Sequence, residues 1–203
     1  FLILLNKMKY SIKFLVLCIS TILISNFVFS QKKESKYEKE FEKSNCVRTN
    51  KLSFKKRVLN YPYNITSQIK IISYKNKGEG VEGEDLQKYL DLIISHKDSL
   101  NESNFDEIQI LNTQQIERLT DIVYNYGFKE EVNIIVVKAC YMPRNAILFY
   151  DNENNLNGFL EICFECNNYR SSNKEITIGE LCTQKMQLMK DFFKDCGIKY
   201  GTN

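Results

Sequence analysis

Cysteine is the residue type in this sequence whose number and spacing could support chemistry. The chain has seven cysteines, and Cys18 lies in an N-terminal segment that we interpret as a signal peptide. An even number of cysteines in an exported domain favours structural disulfides. We therefore treat the remaining six as disulfide candidates: Cys46, Cys140, Cys163, Cys166, Cys182 and Cys196.

The expected secondary structure narrows the pairings of these cysteines. Cys182 and Cys196 fall on one predicted helix, about 21 Å apart along its axis, which is too far for a disulfide. A predicted antiparallel sheet brings four cysteines to one of its edges: Cys140, Cys163, Cys166 and Cys182. We expect at least one disulfide within this group, and Cys196 is then left as the partner of Cys46.

The motif Cys163-Phe-Glu-Cys166 has three interpretations. We favour ordinary disulfides, each of which stabilises a fold by roughly 2–4 kcal/mol. The second interpretation is a thiol–disulfide oxidoreductase that uses Cys163 and Cys166 as its redox pair. Such a pair normally opens a helix, whereas the polar residues 167–172 indicate a loop.

The third interpretation is a zinc site with four cysteine ligands that stabilises the domain. The four cysteines of the predicted edge are enough to provide the four ligands. However, a second Cys-x-x-Cys motif is missing, and an oxidising compartment disfavours free thiolates. Covalent haem is excluded because Asn167 stands where a histidine would be needed. The favoured interpretation includes no metal and no cofactor.

Polar residues near the predicted cysteine edge form a candidate polar site, although a hydrogen-bonded loop network is the simpler explanation of them. The candidate site consists of Tyr141, Arg144, Glu165, Tyr169 and Arg170. Glu161 and Glu165 could also suggest a carboxylate pair for glycoside chemistry. We favour a solvated strand face for these two glutamates.

Charge and histidine content exclude several classes of function. The net charge is +3, but three of the 28 basic residues are the leader lysines Lys7, Lys9 and Lys13, so 25 basic residues remain against 25 acidic ones. A neutral domain argues against nucleic-acid binding. His96 is the only histidine, so no histidine-based metal cluster can form, and we interpret it as a surface residue. These observations favour a protein that is not an enzyme.

The N-terminal 30 residues have the pattern of a cleavable signal peptide, in which residues 1–7 are an upstream extension. Lys9 and Lys13 are followed by the uncharged apolar run 14–29, and Val28 and Ser30 suit a cut before Gln31. An uncleaved anchor is the alternative, but this run is shorter than the roughly 20 residues that span a bilayer. We expect export to a periplasm, a cell surface or the medium, with no membrane span in the mature chain.

The periodicity of apolar residues predicts an α+β domain. Residues 31–45 are dense in charge and predict a tether, and residues 46–203 form a single domain. Helices are predicted over 84–96, over 112–127 with a capping box at Asn112, and from Thr177 to Gly197. Strands at 132–141, 146–150 and 156–165 predict a three-stranded meander in a mainly antiparallel sheet, with helices packed on one face.

The last third of the chain resembles a group of uncharacterised exported bacterial proteins. The resemblance lies in Cys140-Tyr-Met-Pro-Arg-Asn145, in Glu161-Ile-Cys-Phe-Glu-Cys166 and in the ending Gly197-Ile-Lys-Tyr-Gly201. In that group we expect a histidine after the Pro-Arg pair, and here Asn145 takes its place. The group implies no activity, and it places the core of the domain between Cys140 and Cys182.

The leading hypothesis is an exported, disulfide-stabilised domain without catalytic activity. It would act as a binding or interaction module for an unknown ligand, with a protein as the candidate partner. The thiol–disulfide oxidoreductase and the zinc-stabilised domain are the alternatives.

Overall fold

The structure is a computed structural model, and it describes residues 35–75, 83–96, 100–132 and 140–203. The predicted signal peptide lies outside these residues, as does most of the strand predicted over 132–141. No helix in the part of the chain that is described is long and apolar enough to cross a membrane.

Five α-helices and seven β-strands occur in these residues. The helices are α1 (Lys36–Lys43), α2 (Phe54–Arg57), α3 (Glu84–His96), α4 (Thr113–Asn125) and α5 (Lys185–Asp195). The strands are β1 (Cys46–Arg48), β2 (Gln68–Ser73), β3 (Glu107–Ile110), β4 (Tyr126–Phe128), β5 (Asn145–Tyr150), β6 (Leu156–Cys163) and β7 (Asn168–Ser171).

A five-stranded antiparallel sheet organises the domain, in the order β3-β2-β5-β6-β7. β1 and β4 form a separate antiparallel pair. The predicted α+β class and mainly antiparallel sheet are thus confirmed. β5 is buried along its whole length, which explains why its sequence is almost continuously apolar.

Consecutive strands β5, β6 and β7 form an antiparallel meander. Its first two strands correspond to the strands predicted over 146–150 and 156–165. Its third strand, β7, comes from residues that the sequence predicts as a loop, because their side chains are polar and only partly buried. Cys140 and Tyr141 belong to a segment without regular structure that leads into β5.

Helices cover both faces of the sheet. α4 and α5 pack on one face, where Ile71 of β2 and Ile147 of β5 join the larger hydrophobic core. α3 packs on the other face, against Leu148 of β5 and Phe159 of β6. Neighbouring residues of a strand point to opposite faces, and apolar residues occupy both sets of positions. The expectation of helices on one face is therefore corrected, because a single layer would have left half of these side chains in water.

The capping box predicted for α4 is confirmed. The Asn112 side chain accepts a hydrogen bond from the Gln115 N–H, and the Gln115 side chain accepts one from the Asn112 N–H, both at 2.9 Å. The helix ends at Asn125, two residues before the predicted end at Gly127. Gly127 instead lies in β4, where an added Cβ would clash with the Glu180 carboxylate.

The last helix begins eight residues later than predicted, at Lys185. Residues Thr177 and Glu180 do not form a capping box, because Gly179 between them has a φ of +80°, which a helix does not allow. The Thr177 hydroxyl accepts a hydrogen bond from the Gly179 N–H and closes a local turn. Cys182 consequently precedes α5 and does not lie within it.

α1 lies within the predicted tether, and a compact unit runs from Glu40 to Asn203. Within this unit Glu42 forms an ion pair with Lys129 at 2.6 Å. The Ser44 and Thr183 hydroxyl oxygens are 2.6 Å apart. These contacts hold residues 42–44 against other parts of the unit.

Candidate functional site

Two disulfides connect distant parts of the chain. Cys140 and Cys166 are bonded, with their Cα atoms 5.6 Å apart. This pair confirms the expectation of a disulfide within the predicted group. Cys46 and Cys182 form the second bond, with a Cα distance of 5.0 Å. Among the described cysteines, Cys163 and Cys196 are free and buried.

The expected bond between Cys46 and Cys196 is wrong, because the structure bonds Cys46 to Cys182. The Cys46 N–H donates to the side-chain oxygen of Gln184 at 2.7 Å, so the start of β1 lies beside the residues that precede α5. Cys182 is in those residues, whereas Cys196 is at the far end of α5. Cys182 is therefore not bonded to another member of the predicted group of four cysteines, because its partner is Cys46.

The alternatives for the Cys-x-x-Cys motif change with these pairings. Cys166 is bonded to Cys140, so Cys163 and Cys166 are not bonded to each other. Of the four cysteines in the zinc alternative, Cys182 is bonded to Cys46, and Cys140 is bonded to Cys166. In the described ranges no group of three or more His, Cys, Asp or Glu side chains could hold a metal ion.

A buried carboxylate, Glu161, is at the centre of the polar residues near this motif. Its side chain is 0% exposed. Arg170, its cross-strand partner in β7, donates from Nε to Oε2 at 2.7 Å and from a terminal nitrogen to Oε1 at 2.9 Å. The Tyr141 hydroxyl donates to Oε2 at 3.2 Å. These three side chains form one hydrogen-bonded group, the Glu161 cluster.

Arg170 extends this cluster to the helix above it. Its guanidinium donates to both carboxylate oxygens of Asp91 in α3, at 2.8 and 2.9 Å. It also lies over the Phe159 ring, 5.1 Å from the ring centroid. Arg170 therefore joins β6, β7 and α3 through one charge, as the planar, forked guanidinium allows.

Burial and charge shift the pKa values of the cluster in defined directions. Burial raises the pKa of Glu161 above 4.5, and the hydrogen bonds from Arg170 and Tyr141 lower it only in part. Burial, together with the nearby Glu161 carboxylate, raises the pKa of Tyr141. Burial opposes the charged form of Arg170, but Glu161 and Asp91 outweigh it and raise the pKa of the guanidinium. Burial thus opposes the charged form of Glu161, and the two hydrogen bonds from Arg170 partly offset this effect.

The structure separates the five residues of the predicted polar site. Tyr141 and Arg170 meet through Glu161, while Arg144 forms an ion pair with Glu165 at 2.6 Å. Tyr169 is on the opposite side of β7 from Arg170 and packs against the larger core. Its hydroxyl oxygen is 3.3 Å from that of Thr177.

Sequence reasoning missed the role of Glu161, and its interpretation as a solvated strand face is wrong. Glu161 points to the same face as Phe159, and that face is covered by α3. The signal for its burial is its position within Phe159–Cys163, where the other four residues are apolar and buried. A single charge in such a strand requires a buried partner, and the partner is on β7, which the sequence does not reveal.

The comparisons with known proteins find no relative. The chain matches no family model, no curated protein and no solved structure.

A second buried charge, Lys185, holds the end of α4. The side chain is fully buried. Its ammonium donates to the carbonyl oxygens of Ile122 and Tyr126 at 2.6 and 2.7 Å. These carbonyls are at the C-terminal end of α4, where the helix dipole and unsatisfied oxygens favour a cation. Burial nevertheless lowers the pKa of Lys185 to about 8, with Glu180 opposing the shift.

Lys185 should make the free energy of unfolding depend on pH in the alkaline range. Its pKa is about 8 in the fold against an ordinary value of 10.5, so the unfolded chain binds more protons between these values. We expect the free energy of unfolding contributed by Lys185 to rise with pH over this range, by up to about 3 kcal/mol. Urea denaturation of the unreduced protein at several pH values measures this rise.

Two variants isolate the contribution of Lys185 from that of other titrating groups. Lys185→Met should be less stable at neutral pH, because it leaves two carbonyls without a donor, and should lose the rise above pH 8. Lys194→Met, at an exposed position of the same helix, should keep that rise. If the free energy of unfolding changes equally with pH in the wild type and in Lys185→Met, Lys185 is not the group responsible for the rise.

Proposed function

We propose that this chain is an exported domain that is stabilised by disulfides and acts by binding a partner, not by catalysis. The candidate partner is a protein. The observation that carries the proposal is the pair of disulfides, Cys46–Cys182 and Cys140–Cys166. Stable disulfides persist in oxidising compartments and are rare where cells keep thiols reduced.

Further features support export and binding. Residues 8–30 have the pattern of a signal peptide. The domain that follows the signal is electrically neutral, so it is not suited to hold a polyanion. The Cys46–Cys182 disulfide joins segments 136 positions apart, which suits a domain that has to stay folded outside the cell.

The Glu161 cluster supports a structural use of the buried charges. Both carboxylate oxygens of Glu161 accept hydrogen bonds from the guanidinium of Arg170, and one also accepts from Tyr141. A general acid or base has to reach a substrate atom at hydrogen-bond distance. Glu161 is fully buried and paired within the fold, so it acts as a tie between β6, β7 and α3.

The first test is the covalent state of the exported protein. The full chain is expressed in an exporting cell, and the exported fraction is analysed by mass spectrometry without reduction. We expect an N-terminus at Gln31 or its cyclised form, with bonds Cys46–Cys182 and Cys140–Cys166. Denatured but unreduced protein should show two free thiols, Cys163 and Cys196. Met8 retained in a membrane fraction, or six free thiols, would contradict the proposal.

A turnover assay separates binding from oxidoreductase activity. The exported domain is added to insulin and dithiothreitol, and the reduction of insulin is followed by turbidity. A binding domain should leave the rate unchanged. Acceleration that is lost in the Cys166→Ser variant would show multiple-turnover redox catalysis and would replace the proposal with the oxidoreductase alternative.

Capture experiments test the binding role itself. The immobilised, oxidised domain should retain a surface or secreted protein of the source cells. The control is the variant Cys46→Ser/Cys182→Ser, whose weakened fold should retain much less of the same protein. If the oxidised domain and this variant retain the same proteins, the proposed binding role is wrong.

A further inference from the structure

We propose that the end of β6 is a thiol–disulfide exchange site. In this site the buried thiol of Cys163 attacks the neighbouring Cys140–Cys166 disulfide, and Cys140 is released as a solvent-exposed thiol. The inference goes beyond the proposed binding role, since it assigns a reaction to three cysteines. It describes a single exchange within one molecule, without turnover.

The position of Cys166 relative to Cys163 comes from the turn between β6 and β7. Cys163 is the last residue of β6, and it pairs with Asn168, the first residue of β7. The turn between them contains residues 164–167 and therefore carries Cys166. A turn this tight keeps Cys166 close to the end of the strand on which Cys163 lies.

The position of Cys140 comes from the segment that leads into β5. The Met142 N–H donates to the sulfur of Cys163 at 3.5 Å, and Cys140 is two residues earlier in the chain. Cys140 is bonded to Cys166, with a Cα distance of 5.6 Å. The same end of the sheet thus holds one thiol and one disulfide, and the thiol contacts the segment that carries Cys140.

The three sulfur-bearing residues differ in exposure. Cys163 is 2% exposed and Cys166 is 0% exposed, whereas Cys140 is an exposed residue. With the disulfide between Cys140 and Cys166, the free thiol of this group is buried. A bond between Cys163 and Cys166 would place both of its sulfurs inside the fold and leave the exposed residue with the thiol. Exchange would therefore change what the surface presents.

The exchange balances without an external oxidant or reductant. The Cys163 thiolate attacks the sulfur of Cys166, a bond forms between these two sulfurs, and the Cys140–Cys166 bond breaks. The electron pair of the broken bond leaves on Cys140 as a thiolate. The proton lost by Cys163 is balanced by the proton that Cys140 takes up from water.

The released thiol gives the site a class of ligand. The Cys140 thiolate can attack a disulfide of the form R–S–S–R, which yields a mixed disulfide on Cys140 and one R–S⁻. The ligand class is a disulfide, either of a small thiol or of a protein surface. Cys196 offers a matched comparison, because it is also free and buried but lies at the end of α5.

Alkylation of the folded, unreduced protein tests the exchange. The full chain is incubated with iodoacetamide in native buffer, quenched in acid and digested with pepsin at low pH, and the peptides are mapped by mass spectrometry. We expect progressive alkylation of Cys140, accompanied by a Cys163–Cys166 bond in the peptide that carries both residues. Oxidised glutathione in place of iodoacetamide should add one glutathionyl group at Cys140.

Variants show whether Cys163 is the attacking thiol. Cys163→Ser should slow alkylation of Cys140 by at least about tenfold, because no free thiol remains at this end of the sheet. Cys196→Ser, which removes the other buried thiol, should leave the rate unchanged. Circular dichroism of unreduced Cys163→Ser and Cys163→Ala checks that the variants are folded, and either folded variant suffices for the test.

Several results would overturn the exchange. Cys140 that stays unmodified in the wild type, or that reacts equally fast in Cys163→Ser, shows that Cys163 does not release it. Alkylation of Cys163 with an intact Cys140–Cys166 bond shows opening of the fold without exchange. Each of these results leaves the disulfide map of the exported protein unchanged, so failure of this inference is distinguishable from failure of the proposed function.

Discussion

Removal of the Cys46–Cys182 disulfide should lower the free energy of unfolding by about 5 kcal/mol. The bonded residues are 136 positions apart, and a cross-link that closes such a long loop removes much conformational entropy from the unfolded chain. Domains of this size are stable by only about 5–15 kcal/mol, so the variant should be close to unfolding at room temperature. Urea denaturation of unreduced Cys46→Ser/Cys182→Ser measures the loss.

The second disulfide provides a comparison within the same protein. Cys140 and Cys166 are 26 positions apart, and their shorter loop predicts a smaller loss, about 3.5 kcal/mol, in Cys140→Ser/Cys166→Ser. The order of the two losses is the sharper expectation, since absolute values depend on residual structure in the unfolded chain. A larger loss for Cys140→Ser/Cys166→Ser would show that loop length does not govern their contributions.

Replacement of Glu161 by alanine should destabilise the fold by about 3 kcal/mol. The substitution leaves the guanidinium of Arg170 and the hydroxyl of Tyr141 without their shared acceptor, and it opens a cavity in β6. Arg170 keeps its ion pair with Asp91, which limits the loss. Chemical denaturation measures the loss of unfolding free energy. Glu165→Ala is the control, because the Arg144–Glu165 ion pair is more exposed. This control should lose at most about 1 kcal/mol.

The variant Glu161→Gln tests the charge of this residue separately from its volume. The pKa of Glu161 is raised above 4.5 in the fold, so the folded protein binds this proton more tightly than the unfolded chain. Its contribution to stability should therefore fall as pH rises from about 4.5 through the folded pKa. The difference in unfolding free energy, wild type minus Glu161→Gln, should decrease with pH over this range, and a difference that increases would contradict the buried assignment.

The parts of the fold that could be predicted from sequence are those that local patterns determine. The apolar runs of β5 and β6 and the capping box of α4 each depend on residues within one segment. β7 was missed because its residues are polar, and it is a strand only because it pairs with β6. The start of α5 was misplaced because the pattern Thr177-x-x-Glu180 matches a capping box, while the positive φ of Gly179 decides against it.

Cysteine pairing was predictable only where the sheet order determines it. Cys140 precedes β5 and Cys166 lies in the turn after β6, and the antiparallel pairing of β5 with β6 brings these two segments together. The bond from Cys46 to Cys182 depends on the contact of β1 with the segment before α5, which no local pattern encodes. Tyr141 and Arg170 of the Glu161 cluster belong to the predicted polar site, but Glu161 does not, because its burial depends on the pairing of β6 with β7 and on the covering helix α3.

The separation of Cys46 and Cys182 also has a consequence for biosynthesis. At about 5–20 residues per second, the 136 residues between them take about 7–30 s to synthesise. Disulfides form on a timescale that begins at seconds. Cys140, Cys163 and Cys166 are all synthesised before Cys182, so each can reach Cys46 before its native partner exists. Oxidation that is faster than synthesis would trap Cys46 with one of these earlier cysteines, and the nascent domain then depends on disulfide reshuffling to reach its native bonds.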